Sequence, residues 1–323
     1  MKSGYTVGIL IILLVSSTFL TADESEFISD LKRVFKGKSY EEIFSGNSYC
    51  SKNITCDGKG NIIHIHLENL DLPDNYLPDS ISTLAHLVDL RILNSRIRIN
   101  WNSINSDLLI YSLKTIEITG NNALEFPSSL KHLGLTSLNI SRNNISHCLN
   151  NISLPITLQH IDMSKNRLHC NIMSFSTFSN LQTLILSNNE LSGEIPTFSK
   201  SSKLSVLNLS YNMFSGNHPS FNKNPDLLSL NLMGNYLEGN IPDFSENTQL
   251  NELNLAFNKL TGTIPTFNNN KHLMSLNLES NRFKGTMPTF DNNIYLVSLN
   301  LAFNKLTGNI PTFNKLTGNI PTF

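Results

Sequence analysis

Leu204-Ser205-Val206-Leu207-Asn208-Leu209-Ser210-Tyr211-Asn212-Met213-Phe214-Ser215-Gly216-Asn217-His218-Pro219-Ser220-Phe221 is one of six copies of a single pattern, L-x-x-L-x-L-x-x-N-x-(L/F)-x-G-x-(I/H/M)-P-x-F. The asparagines that close the leucine part are Asn189, Asn212, Asn235, Asn258, Asn281 and Asn304, each 23 residues from the next. Two less regular members, Asn143 and Asn166, carry the same step toward the N-terminus. A fixed period of this length is the signature of a solenoid, in which each unit buries its apolar face only against its neighbours. The functional question therefore moves from an enclosed active site to a long repeated surface.

Each repeated residue has a structural task. Leucines such as Leu204, Leu207 and Leu209 are expected to fill the coil interior, as is an apolar slot holding Leu191, Phe214, Leu237, Leu260, Phe283 and Leu306. The ladder asparagines turn inward, where a carboxamide can satisfy backbone groups at the bend after the strand. The Gly-x-(I/H/M)-Pro step then sets a second extended stretch, because proline fixes φ and brings no ladder donor. Phe198, Phe221, Phe244, Phe267, Phe290 and Phe313 also step by 23 and are expected to stack as an aromatic spine. Strands are expected at 62–67, 87–92 and 113–118, then regularly from 135–140 to 296–301, eleven in all. Parallel stacking at about 4.8 Å per coil makes a concave sheet of roughly 50 Å. The fold class is an α/β solenoid, right-handed and curved, with a parallel concave sheet and a helical N-terminal cap.

The N-terminal cap is read from residues that do not repeat. Phe27, Ile28, Leu31, Val34 and Phe35 recur at helical spacing with Asp30, Lys32 and Arg33 between them, and a second short piece follows at 40–44. An open solenoid end exposes a cross-section of its core, so the helix should lay its apolar stripe on the first coil. Cys50 and Cys56 would staple the return of the chain into the first strand. The domains expected are a leader at 1–22, the cap at 23–61 and repeats over 62–313. Residues 314–323 copy 304–313 without the strand leucines, so a frayed or misregistered end is expected there.

Composition narrows the environment. The chain holds 24 Lys+Arg against 25 Asp+Glu and shows no basic run, which disfavours nucleic acid and anionic membrane surfaces as partners. Lys2 precedes an apolar run at 7–15 followed by Ser16, Ser17 and Thr18, resembling a secretory signal peptide cleaved after Ala22 or near Ser17. A retained signal anchor is the alternative. No later apolar run reaches spanning length, so the mature chain is expected outside the cell. An even number of cysteines (Cys50, Cys56, Cys148, Cys170) and five N-x-(S/T) sequons, at Asn53, Asn139, Asn144, Asn151 and Asn208, agree with that address. Cys148 and Cys170 fall just after the ladder asparagines of adjacent coils, within disulfide range. With His147 and His169 they also compose a zinc ligand set, though at no standard spacing, and free thiols are a third alternative. An oxidising compartment favours the disulfide.

With the G-x-I-P step in place, the chain resembles the plant-type extracellular leucine-rich repeat family, most specifically in the L-S-G-E-I-P stretch from Leu191 to Pro196. That family includes ectodomains of receptor-like proteins and secreted polygalacturonase-inhibiting proteins. The resemblance covers about 50–313. It implies a non-enzymatic recognition protein whose partner is a protein or a cell-wall polysaccharide, with no cofactor. The chain departs from the family in three ways. Cys50-Ser-Lys-Asn-Ile-Thr-Cys56 lacks the usual Trp-x-Gly, the repeats are one residue shorter than usual, and no C-terminal cysteine cap, membrane span or kinase follows.

Ligand-facing residues are sought among the variable strand positions. The slot between the last two leucines holds Asn139, Asp162, Ile185, Asn208, Asn231, Asn254, Asn277 and Asn300, a row suited either to a structural hydrogen-bonded stack or to polysaccharide hydroxyls. The position before the ladder asparagine varies more, and Arg142, Lys165, Tyr211, Phe257 and Phe303 are the candidate ligand contacts on the concave face. Sideways packing on neighbouring coils is the alternative for the aromatics. His64 and His66 share one strand face, where weak metal chelation is the alternative to plain surface histidines. No G-x-S-x-G, H-E-x-x-H or phosphate-binding glycine loop occurs, and the glycines of the repeat are turn residues. The function expected is a secreted recognition protein. The alternatives are a receptor ectodomain in signal transduction and a structural or adhesive matrix component.

Overall fold

A computed structural model describes residues 22–35, 50–70, 76–104, 107–121 and 130–309. The expectations for the leader, the second cap piece at 40–44, Phe313 and the partial repeat at 314–323 lie outside these residues. Eleven strands stack in parallel along one face: Ile62–Glu68, Asp89–Leu93, Thr115–Thr119, Ser137–Asn139, His160–Asp162, Thr183–Ile185, Val206–Asn208, Ser229–Asn231, Glu252–Asn254, Ser275–Asn277 and Ser298–Asn300. A twelfth, Ile54–Cys56, pairs antiparallel with the first. In the regular part, register advances by one period per coil, as in Leu207 opposite Leu230 and Leu230 opposite Leu253.

The regular strands are three residues long because their last residue ends them. Asn208 Oδ1 accepts the Ser210 N–H at 3.1 Å, and Asn231, Asn254, Asn277 and Asn300 do the same two residues on. Such an Asx turn offers the backbone an alternative to the sheet ladder. Three residues past each of these asparagines, the chain enters the left-handed region before the ladder asparagine. Tyr211, Phe257, Ser280 and Phe303 have φ of 54°, 54°, 53° and 56°.

Each ladder asparagine then joins two coils. Asn235 Nδ2 donates to Leu232 O in its own coil at 3.0 Å and to Leu209 O in the preceding coil at 3.1 Å. Its Oδ1 accepts the Phe214 N–H of the preceding coil at 3.1 Å. The same three bonds recur at Asn189, Asn212, Asn258 and Asn281. Burial of a carboxamide is thus matched by partners on every side.

A second polar ladder, not foreseen in the sequence reading, runs beside the aromatic spine. Asn224, Asn247, Asn270 and Asn293 are buried, and each Nδ2 donates to the phenylalanine carbonyl 26 residues back and to the backbone 23 back. Ser201 occupies the same place one coil earlier, donating to Phe175 O and Phe178 O. The spine stacks in pairs, with centroids 6.1 Å apart for Phe175–Phe198, 6.2 Å for Phe221–Phe244 and 6.4 Å for Phe267–Phe290, and Phe175 extends the expected row by one coil. Equivalent rings therefore stand farther apart than the roughly 4.8 Å between paired strands. Coils splayed at the spine and tight at the sheet make the sheet face concave.

Between the two ladders the second extended stretch forms its own parallel sheets. One comprises His169–Asn171, Glu190–Gly193, Met213–Asn217 and Tyr236–Glu238; the other comprises Lys284–Thr286 and Lys305–Thr307. The N-terminal helix, Ala22–Val34, buries Phe27, Ile28 and Leu31 fully, as its spacing predicts. It is also tied by polar bonds: buried Glu24 Oε1 accepts the Ile62 N–H at 2.7 Å, and Asp30 accepts from Ser80 Oγ at 2.8 Å. Both disulfides form, Cys50–Cys56 with Cα atoms 5.7 Å apart and Cys148–Cys170 at 5.3 Å. The zinc and free-thiol alternatives for Cys148 and Cys170 fall away, since both sulfurs are in the disulfide. No described helix is long and apolar enough to cross a membrane.

Candidate recognition surface

The floor of the concave face is built by the first and third residues of each regular strand, the second being buried in the core. Over the last six coils it forms a trough of about 450 Å³ lined by Ile185, Asn208, Asn231, Asn254, Asn277 and Asn300, with Ser229, Ser275 and Ser298 beside them. The asparagines do not stack on one another. Each carbonyl oxygen is held by the Asx turn, which aims the amide nitrogen away from the bend. Asn300 Nδ2 donates to Glu279 at 2.8 Å and Asn254 Nδ2 to Met233 Sδ at 3.5 Å. The amides of Asn208, Asn231 and Asn277 make no side-chain contact of this kind among the described residues, leaving donors pre-aimed into the trough.

The N-terminal floor has another chemistry. Arg91 bridges Asp89 at 2.8 Å and Glu117 at 3.5 Å, and Glu117 accepts from Asn139 Nδ2 at 3.2 Å. His64 lies 3.8 Å from Asp89, and His66 lies 3.8 Å from Glu68. Here charges from adjacent strands are largely spent on each other. The unneutralised donors belong to the C-terminal coils.

Arg142, Lys165, Tyr211, Phe257 and Phe303 sit beyond the strand ends, at the left-handed corner. They line the rim where the concave sheet turns to the lateral face, not its floor. All five are exposed, Phe303 to 76%. The corner N–H groups of Arg142, Lys165, Tyr211 and Phe257 donate to the next coil, as Tyr211 does to Met233 O at 2.7 Å and Phe257 to Glu279 O at 2.8 Å. Tyr211 leans over Gly234, where a Cβ would lie 2.9 Å from its ring, so the small residue one coil on gives the ring its seat. Large and small residues alternate along this rim: Tyr211, Gly234, Phe257, Ser280, Phe303.

The sequons divide by location. Asn144 and Asn151 are exposed on the turn side near Cys148–Cys170, whereas Asn53, Asn139 and Asn208 are half-buried and the last two stand on the concave floor. Two exposed apolar groups escaped the sequence reading. Leu228, Met274 and Val297 follow the first leucine of their repeats and stay exposed at the opposite edge of the sheet. Tyr236 and Met213 follow ladder asparagines and extend the aromatic rim laterally. Their signal was the 23-residue step, read at positions treated as filler.

Three segments, 180–201, 203–224 and 249–270, match the family model described as Leucine Rich Repeat, and 292–310 matches a second Leucine Rich repeat model. No curated protein matches the chain. Among solved structures, the ectodomain of the Arabidopsis thaliana membrane receptor kinase GASSHO1/SCHENGEN3, in complex with CASPARIAN STRIP INTEGRITY FACTOR 2, is similar at 28% identity and a TM-score of 0.66. That similarity covers 77% of this chain and 34% of the receptor chain. The plant peptide hormone receptor RGFR1, in complex with RGF2, is similar at 26% identity and a TM-score of 0.63, over 76% and 44%. A plant ice-binding protein shares the fold at 22% identity and a TM-score of 0.63, over 91% and 90%. The chain thus spans less than half the length of the two receptor chains.

Proposed function

Because this chain is a leucine-rich repeat protein that resembles plant receptor ectodomains, we propose that it is a non-enzymatic recognition protein of the cell exterior that captures an extended peptide or protein segment in its concave trough. The observation that carries the reading is the trough of the C-terminal coils, where amide donors from Asn208, Asn231 and Asn277 recur at strand spacing. An extended segment presents carbonyl oxygens that such donors can pair, and the exposed rings of Tyr211, Phe257 and Phe303 supply apolar anchors at the rim. The backbone adds a second argument. A bulky residue in the left-handed region is strained, whereas glycine or asparagine is not. Gly234 and Asn188 occupy equivalent corners, so Tyr211, Phe257 and Phe303 are kept against a local cost. The peptide complexes of the similar receptors support a peptide ligand over a polysaccharide.

The experiment is affinity capture from native extracellular fluid, with the retained partner identified and its affinity then measured. Replacing Tyr211 and Phe257 by alanine and reversing the charge of Arg142 and Lys165 should weaken capture at least tenfold without altering the melting temperature. Capture unchanged by all four substitutions would refute the reading.

A further inference from the structure

No basic run appears in the linear sequence, but the second extended stretch gathers one in space. One residue past the ladder asparagine, successive coils carry Tyr236, Lys259, Arg282 and Lys305. Each lies in register with the residue 21 before it, as Lys305 does with Lys284, because Lys259 N donates to Leu237 O, Arg282 N to Leu260 O and Lys305 N to Phe283 O, each acceptor lying one residue before the register partner. The offset decides what faces each cation. Lys259 meets Glu238 at 3.7 Å, and its ammonium also lies 5.3 Å from the Tyr236 ring centroid. One coil on, the position equivalent to Glu238 is Thr261, which faces Arg282. In the next coil it is Lys284, the register partner of Lys305.

The neutralising acid is thus replaced first by a hydroxyl and then by a second cation. Like charges directly opposite across paired strands are destabilising. Arg282, Lys284 and Lys305 are all exposed, and none forms an ion pair with an acid among the described residues. The patch is short. Lys259 is already paired, and the coils before it carry Tyr236, Met213 and Glu190 at the same position, so among the described residues the unneutralised charge spans the last two coils. At about 4.8 Å per coil, that span matches two or three residues of an extended chain.

We infer that Arg282, Lys284 and Lys305 form a lateral docking patch for a short acidic segment of a protein partner. A long polyanion would be better served by a cation on every coil, and among the described residues the row carries Tyr236, Met213 and Glu190 in the coils before Lys259. The planar Arg282 guanidinium can grip one carboxylate in bidentate fashion, and the two ammonium groups are placed for a second. The patch lies outside the concave trough, and the inference does not depend on what the trough binds.

The test uses the full chain and a fluorescein-labelled hexaglutamate peptide, read by anisotropy at low salt and at high salt. Hexaglutamine serves as the neutral control and polygalacturonate as the competing polyanion. Wild type should bind hexaglutamate and not hexaglutamine, and raising the salt to about 1 M, where screening acts within ~3 Å, should abolish binding. Lys284→Glu with Lys305→Glu should weaken binding at least tenfold, while Tyr211→Ala with Phe257→Ala leaves it unchanged. Lys284→Gln should raise the melting temperature while weakening binding, which separates a retained binding charge from a structural one. Absent hexaglutamate binding, affinity indifferent to the double reversal, or polygalacturonate binding tenfold tighter than the peptide would overturn the inference.

Discussion

Replacing Asn235 by alanine tests the account of what holds successive coils together. The carboxamide satisfies Leu232 O and Leu209 O as donor and the Phe214 N–H as acceptor, at 3.0, 3.1 and 3.1 Å. Leu209 O keeps a second donor in Asn212 Nδ2 and Leu232 O keeps one in Asn258 Nδ2, whereas the Phe214 N–H has no other partner among the described residues, and Asn235 itself is only 5% exposed. Alanine leaves that N–H unpaired in a region that water reaches poorly and removes one of two donors from each carbonyl. A buried polar group left without a partner costs ~1–3 kcal/mol and each lost carbonyl bond ~0.5–1.5 kcal/mol, and taking the lower half of both ranges gives about 2–4 kcal/mol in all. Asn304 makes the equivalent bonds but is only partly buried, so water can replace them, and Asn304→Ala should cost less than half as much. Guanidinium denaturation followed by circular dichroism measures both. Because coils communicate only with neighbours, the Asn235 variant should also broaden the transition as the array divides. A loss below about 1 kcal/mol for Asn235→Ala, or equal losses at the two sites, would show that the ladder does not carry this load.

Other consequences are open to measurement. Phe221→Ala removes a fully buried ring stacked on Phe244 and should cost about 3–5 kcal/mol by the same denaturation assay. The double variant Cys148→Ser/Cys170→Ser opens a closure of 22 residues and should cost ~3 kcal/mol, seen as a lowered midpoint that reductant no longer changes. Phe257→Asn should leave stability unchanged or raise it, because asparagine tolerates the left-handed corner, while partner capture falls. The Asp57 carboxyl is held below its ordinary value chiefly by the Asn61 side chain, with the Lys59 and Asn61 N–H groups adding to it. Its depressed value means the 57–61 turn is supported above the usual carboxylate range and released as pH falls through the folded value. An NMR titration should place Asp57 below 3.8 and show that turn loosening only in acid.

The period of 23 residues was enough to specify the solenoid, the leucine core, the ladder asparagines and the aromatic spine. Those features depend only on which residues are equivalent, and equivalence is what a repeat encodes. It also placed Cys148 beside Cys170, since both follow ladder asparagines in neighbouring coils. The cap helix was legible for another reason: its apolar stripe at helical spacing has no role unless it covers a coil. What faces what across coils could not be read in the same way. Register partners in the second extended stretch are 21 residues apart, not 23, because the chain advances along the coil as it passes to the next one. That offset pairs Lys259 with Glu238 and Lys305 with Lys284, and it exists only in the folded coil. Likewise the floor asparagines looked able to stack on each other, yet the bend after each strand offered a nearer donor two residues on. The sequence by itself thus determined the architecture and the repeated positions. Only the tertiary structure decided which donors, rings and charges remain free for a partner, because that depends on distances between coils, which a one-dimensional period does not contain.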